Sequence, residues 1–378
     1  MHKVFIAATQ QNDGKTTVSL GLIAALQNRG LRVGFIKPVG QRYLEVDGQK
    51  LDEDAVLVAD AAGLEGELAA MSPVAVESRF TREYIDHPTP NDLLQRIHTA
   101  FERAAYEKDF IVVEGTGHAG VGSCFDLSNA HVAQELQCGV ILVSGGGIGR
   151  PIDEIMLNRA LFAAHEVPIL GAIINRALPE KLEMIRDYVQ RGLARLGIPL
   201  LGVIPLRPRL SSPTVRQVLE ELRGELLNGG DSLDDTIERC VIGAMSPHHA
   251  LHHFGRGVLA IVPGDREDLI LAAMSSCLVG VGKAYCVSGI VLTGGMRPHA
   301  TVMRLIKRTE MPVILVEEES YEVASSFHDL TVKIQPSDVE KIQLAQRLVE
   351  RYVDVDAILA ATATRPPDPS PQAEHTEI

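Results

Sequence analysis

The stretch from Lys3 to Leu26 constrains this chain more than any other. Lys3-Val4-Phe5-Ile6-Ala7-Ala8 is an apolar run short enough to be a buried strand. Thr9-Gln10-Gln11-Asn12-Asp13-Gly14-Lys15-Thr16-Thr17 follows, a turn of small and polar residues. From Val18 to Leu26 the apolar spacing is helical. Strand, loop, Gly-Lys-Thr and helix form, in that order, the context of a phosphate-binding loop. N–H groups of the loop and the helix start face an anion there, and the helix dipole favours negative charge. Gly14 lets the backbone approach closely, Lys15 reaches the outer phosphates, and the Thr16 hydroxyl suits a magnesium ion. Thr9 stands five residues before Gly14, where the motif usually carries its first glycine. The competing reading is an ordinary β–α turn that contains Lys-Thr. The flanking strand and helix argue against it.

The rest of the chain predicts where such a loop sits. Leu31–Pro38 reads as the next strand, ending in Lys37. Asp52-Glu53-Asp54 opens a helical pattern through Ala62, and acidic residues suit a helix start. Residues 63–92 are irregular, with Pro73, Pro88 and Pro90, and a helix is predicted from Asp92 to Lys108. Phe110–Gly117, Gly139–Ser144, Ile169–Asn175 and Leu201–Pro205 are near-continuous apolar strands, with helical patterns near 153–165 and 180–196. This alternation predicts the α/β class: a mainly parallel sheet of P-loop NTPase type with helices on both faces. Ligands of such sheets lie beyond the carboxyl ends of the strands. Lys15, Thr16, Lys37, Glu114 and Asn175 all occur at such ends.

A first domain is predicted over 1–212, then a linker helix and turn over 213–232, with a helix from Thr214 to Leu227 and a break at Gly229-Gly230. A second, smaller α/β domain spans 233–353, with strands at Val258–Pro263, Gly289–Thr293, Val313–Val316 and Thr331–Ile334. The tail 362–378, rich in Pro and polar groups, is predicted to be disordered.

At 378 residues the chain suits two or three domains at about 100–200 residues each. Its formal net charge of -13 argues against a nucleic-acid partner. No apolar run approaches the roughly 18 residues that span a bilayer, so no membrane partner is expected. Met-His-Lys leads directly into a strand, so no signal peptide is expected and the location is read as cytoplasmic. Five cysteines without CxxC spacing read as buried thiols in a reducing compartment.

Several residues admit two readings. Glu114 can hold a metal or cap a helix, and Asp54 can be a metal ligand or a helix-start acid. Lys37 can meet a phosphate or an acidic substrate, or end a strand in solvent. Asn175 can read a purine edge or form a turn. Gly145–Gly149 lacks the spacing of a dinucleotide cradle and reads as a structural loop. His248, His249, His252 and His253 are spaced to share a helix face, and no acidic or Cys partner is evident nearby. In the second domain, Asp265, Arg266, Thr293, Gly294 and Gly295 follow two apolar strands. They read as a ligand pocket at one sheet edge, or as a helix cap and a glycine turn.

On these motifs, residues 1 to about 210 resemble the dethiobiotin synthetase-like P-loop domain, related also to cobyrinic acid a,c-diamide synthase. The residues that carry the likeness are Gly14-Lys15-Thr16-Thr17, Lys37-Pro38-Val39, Val113-Glu114-Gly115-Thr116-Gly117, Asn175 and Gly202-Val203-Ile204-Pro205. The resemblance implies ATP and Mg²⁺ as cofactors. It implies Lys15 and Lys37 as catalytic cations, and Thr16, Asp54 and Glu114 about the metal. Asp13, Gly14, Lys15, Thr16, Thr17, Asn175 and Pro205 would line the nucleotide, with Asn175 on adenine. Residues from about 215 to 335 resemble the DRTGG domain through Asp265-Arg266 and Thr293-Gly294-Gly295. The pair resembles the N-terminal part of long bacterial phosphotransacetylases, which implies a homodimer or a higher homo-oligomer. Gln41-Arg42 stand where dethiobiotin synthetases carry small residues, which argues against dethiobiotin formation. Because the sequence ends soon after the second domain, acetyl transfer is not expected. Two functions follow: a regulatory nucleotide-binding protein, possible as a slow ATPase, that senses a small metabolite; or an ATP-dependent ligase that phosphorylates a small carboxylate or carbamate.

Overall fold

The computed structural model describes residues 1–46, 48–64, 66–278, 286–330 and 332–363. The chain divides into two compact units, one of residues 1–206 with 334–378, the other of residues 207–333.

The first unit is built on six strands: β1 (His2–Ala8), β2 (Val33–Ile36), β3 (Phe110–Glu114), β4 (Gly139–Ser144), β5 (Ile169–Ala177) and β6 (Leu200–Pro205). Their order in the sheet is β6-β5-β4-β1-β3-β2, and every pairing is parallel. Both faces are covered, which is why these strands are apolar throughout: Val4 to Ala8, Ile111 to Val113 and Val140 to Val143 are all sealed from solvent. Helices α1 (Lys15–Asn28), α2 (Glu53–Ala61), α3 (Pro90–Ala105), α4 (Gly149–Ala164) and α5 (Leu182–Ala194) supply most of the connections. The irregular region holds short helices at Leu68–Met71 and Phe80–Asp86, and a hairpin of Tyr43–Val46 with Gln49–Asp52 precedes α2. Register places Ile6 opposite Glu114 and Ile141, so the carboxyl ends of the central strands lie side by side.

The second unit carries a five-stranded sheet: β7 (Glu225–Asn228), β8 (Arg239–Ile242), β9 (Val258–Pro263), β10 (Gly289–Thr293) and β11 (Val313–Leu315). The order is β7-β11-β10-β9-β8, with β7 antiparallel to β11 and the rest parallel. Its helices include α6 (Val215–Leu222), α7 (Glu267–Leu278), α8 (Ala300–Ile306) and α9 (Ser320–Asp329). The chain returns to the first unit in α10 (Val339–Tyr352) and α11 (Val355–Ala363).

Four expectations differ from this arrangement. The helix read over 214–227 stops at Leu222, where Arg223 takes a left-handed φ of 49°, and residues 225–228 become edge strand β7. The second unit begins before the presumed linker and ends at 333, because α10 packs on α1 rather than on the second sheet. No strand forms over 332–334, and Thr331 lies outside the described residues. Residues 364–378 of the tail lie outside them too. The cysteines also depart from five buried thiols. Cys138 is buried and free, Cys240 half-buried and free, Cys124 exposed and free, and Cys286 disulfide-bonded. A count and a spacing do not carry pairing information. Among the described residues no helix is long and apolar enough to cross a membrane.

Candidate functional site

The loop after β1 turns on Gly14, whose φ of 94° is left-handed. A Cβ there would lie 2.1 Å from Asn175 Nδ2, so glycine is required by both backbone and space. Asn175, at the end of β5, donates from Nδ2 to the carbonyl of Asp13 at 2.9 Å and accepts from the Arg176 amide at 2.9 Å. It braces the loop from the side. Pro205 is buried at the end of the neighbouring strand β6, paired with Ala177.

Behind the loop lies a buried ionic cluster. Thr16, in the first turn of α1, donates from its hydroxyl to Glu114 Oε1 at 3.0 Å. Glu114 ends β3 at 0% exposure, and among the described residues its Oε2 is buried without a well-formed hydrogen bond, the Ser19 hydroxyl being the polar group beside the carboxylate. Lys37, just past β2, is 5% exposed, and its Nζ meets three carboxylates. It pairs with Asp54 Oδ2, with Asp52 Oδ1 at 3.1 Å and with Glu114 Oε1 at 3.5 Å. Asp54 lies in the first turn of α2, and Asp52 caps that helix by accepting from the Asp54 amide at 2.9 Å. Lys15 is 8% exposed at the head of α1.

Burial dominates the electrostatics. It pushes the Glu114 carboxyl up, against the pull of Lys37 and Lys15, and Asp54 adds to the rise. It pulls the Lys15 ammonium down, against Glu114. Lys37 is also desolvated, but Asp54, Glu114 and Asp52 outweigh that and hold it well above the ordinary lysine value. Among the described residues Lys15 is a buried cation with no carboxylate in ion-pair contact, though Glu114 lies near it, and an anionic ligand with a divalent cation would complement both.

Beside this cluster a second network fixes the start of the loop. The Thr9 hydroxyl is 2.9 Å from Asp13 Oδ2, 2.8 Å from Ser144 Oγ and 3.2 Å from Glu154 Oε2. Glu154 of α4 also accepts from Gln10 Nε2 at 2.7 Å and from Arg150 Nε at 2.6 Å. The sequence reading missed Glu154 and Asp52. No local pattern pointed to the first, whose partner Thr9 is far away in sequence, and the Asp-x-Asp spacing before α2 was the signal for the second.

The candidate residues of the second unit do gather at one edge of its sheet, since the Gly264 amide donates to the Thr293 carbonyl at 3.1 Å. Their glycine amides are already engaged. The Gly294 amide donates to the Glu318 carbonyl and the Gly295 amide to the Val316 carbonyl, both at 2.9 Å. Arg266 is engaged by Asp268 at 2.9 and 3.0 Å, while Asp265 is exposed. A cavity of about 490 Å³ in this unit lies elsewhere, along Glu221, Arg223, Glu225, Glu317 and Glu318. His248, His249, His252 and His253 are exposed; the first three cluster ring to ring. Among the described residues no group of three or more His, Cys, Asp or Glu is placed to hold a metal ion.

The parallel sheet, the loop at its carboxyl edge and the buried Lys15 define a P-loop α/β protein of the nucleoside-triphosphatase type. The chain belongs to the AAA_26 family of AAA domains, whose model matches residues 2–214, and a DRTGG domain matches residues 217–330. Similar proteins include a phosphate acetyltransferase of Nitratidesulfovibrio vulgaris strain Hildenborough, 30% identical over 366 residues, covering 93% of this chain and 50% of that protein. The phosphate acetyltransferase of Pseudomonas aeruginosa is 29% identical over 376 residues, covering 94% of this chain and 51% of its own length. The MinC:MinD cell division protein complex of Aquifex aeolicus is a solved structure with 16% identity and a TM-score of 0.36, covering 56% of this chain and 84% of that one. The chain thus spans about half the length of the curated relatives it matches. Their shared name overturns the expectation that acetyl transfer is foreign to this protein. That expectation rested on where the sequence ends, which says nothing about activity.

Proposed function

We propose that the chain binds a nucleotide with magnesium, most simply ATP, at the carboxyl edge of the first sheet, and that it serves phosphate acetyl transfer, the activity named in its relatives. Its part is regulatory: nucleotide is taken by the first unit and a small metabolite by the second, in a homodimer or higher homo-oligomer. The observation that carries this reading is the buried Lys15 opening α1 beside Lys37 and Glu114. Lys15, Lys37 and the amides around Asp13, Gly14 and Thr17 meet phosphate charge, and Asn175 and Pro205 are assigned to the base. Thr16, Asp54 and Glu114 offer a hydroxyl and two carboxylates, the hard oxygen donors that magnesium takes alongside phosphate and water. The buried Glu114 Oε2 fits that role. Bound there, the metal would supply Lewis-acid neutralisation of phosphate charge.

If the second unit regulates, its ligand and the nucleotide change each other's affinity by the same factor. Calorimetry with ATP and Mg²⁺ tests the first part. Lys15→Ala should weaken binding by about 10–100-fold, the value of a charge-assisted hydrogen bond of roughly 1.5–3 kcal/mol. Unchanged affinity would remove the assignment. Acetyl phosphate formation from acetyl-coenzyme A and phosphate, measured with and without ATP, tests the second. A nucleotide-dependent rate is expected, and no transfer, or transfer indifferent to nucleotide, contradicts it.

A further inference from the structure

We propose that Asp52 is a positioning residue: it is the counter-ion that keeps Lys37 in place when Asp54 and Glu114 turn to a divalent cation. This rests on the magnesium–nucleotide reading above. Lys37 Nζ lies within ion-pair reach of three carboxylates, all buried, and two of them belong to the set that fits the metal. Lysine and metal therefore draw on the same oxygens. Two cations can share the cluster only if one carboxylate stays with the lysine.

Asp52 is built for that. Its side chain is 1% exposed. Its backbone is pinned by its amide, which donates to Ser72 Oγ at 2.8 Å, and its carboxylate by the Asp54 amide at 2.9 Å. Gly40 makes room for it, since a Cβ there would lie 2.5 Å from Asp52 Oδ2. The Thr16 hydroxyl meets Glu114, so the phosphate side of the cluster is at α1, whereas Asp52 sits outside the first turn of α2. Lys37 held by Asp52 remains charged and aimed at the loop. Without Asp52, Lys37 keeps only Asp54 and Glu114 and competes with the metal for them.

The experiment is a Mg²⁺ titration of ATP binding, read by calorimetry, on wild type, Asp52→Asn and the pair Asp52→Asn with Lys37→Met. Asparagine caps a helix as well as aspartate, so the first change removes charge and spares the cap. The pair removes one cation with one anion, which preserves the cluster's net charge and guards against misfolding. Thermal melting without ligand confirms that each variant folds. For Asp52→Asn the Mg²⁺ half-point should rise by about fivefold or more, the lower end of a typical coupling. In the pair it should return to the wild-type value or below. An unshifted half-point in Asp52→Asn overturns the proposal, as does a rise that persists in the charge-balanced pair, which would mean that Asp52 acts on the metal other than through Lys37. ATP binding by wild type that ignores Mg²⁺ would instead defeat the underlying metal reading, and Asp52 would fall with it.

Discussion

Thr9 shows how much one side chain can organise. Its hydroxyl stands among Asp13, Ser144 and Glu154 at 4% exposure, so it separates two carboxylates at the entrance of the loop. Burial pushes Asp13 up, and Glu154 adds to that rise, while the Thr9 hydrogen bond opposes it. Thr9→Ala leaves Asp13 and Glu154 facing each other without the hydroxyl. It should cost about 0.5–1.5 kcal/mol, the net value of one intramolecular hydrogen bond, in urea unfolding, because Asp13 and Glu154 keep their contacts with Gln10 and Arg150. A loss below a few tenths would mean that water replaces the hydroxyl. The thiols make a second residue-scale case. Burial pushes Cys138 up to about 12, whereas Cys124 is exposed. Iodoacetamide at neutral pH should label Cys124 in the native protein and Cys138 only after denaturation, as read by peptide mass spectrometry. Lys15, Thr16, Lys37, Asp54, Glu114 and Asn175 were legible as site candidates because each sits at a predicted strand or helix end. Glu154 was not, because its partner Thr9 is 145 residues away and no local pattern records that contact.

At the scale of elements, the strands of the first sheet were legible, whereas in the second sheet β8 went unread and β7 was taken for helix. Near-continuous apolar runs named every strand of the first sheet, since burial on both faces leaves no place for a polar residue. The segment 225–228 was misread because Leu226 and Leu227 extend the helical spacing of α6, and only the antiparallel pairing with β11 makes it a strand. The loop between β1 and α1 depends on backbone geometry as much as on charge. Gly14→Ala would force a Cβ into a φ of 94° and onto the Asn175 amide at 2.1 Å. The strain alone is about 1–3 kcal/mol. Displacement of Asn175 also removes the brace on the Asp13 carbonyl. ATP binding should therefore fall below detection in calorimetry while the circular dichroism of the folded sheet persists. Retained binding would show that the loop can adopt a second competent conformation.

For the whole molecule, the informative fact is that α10 and α11, which follow the second unit in sequence, close the first unit. The second unit, residues 207–333, is inserted before that closure. Helix α10 lies on α1 so closely that a Cβ on Gly21 would come within 2.3 Å of Val349 Cγ2. The chain then pairs Val353 with Gly202 in an isolated bridge, and the Asp354 amide donates to the Leu201 carbonyl at 2.8 Å. Arg29 reaches Glu350 at 3.3 Å and Asp356 at 3.0 Å, and His2 Nδ1 lies 3.1 Å from Thr362 Oγ1. Leu348, Val349, Val353, Val355 and Ile358 are all buried by this arrangement. At about 1.5–3 kcal/mol for each buried aliphatic side chain, five of them amount to roughly 8–15 kcal/mol. That equals the entire stability of a typical domain, about 5–15 kcal/mol. The exposed ion pairs add little to it. A chain cut after residue 333 should therefore lose the cooperative melting of the first unit and its ATP binding, although every residue of the loop and the ionic cluster is still present. The second unit has its own buried clusters within 215–330 and should keep a separate transition in calorimetric melting. If the truncated chain binds ATP with native affinity, α10 and α11 are an addition to a core that already closes without them.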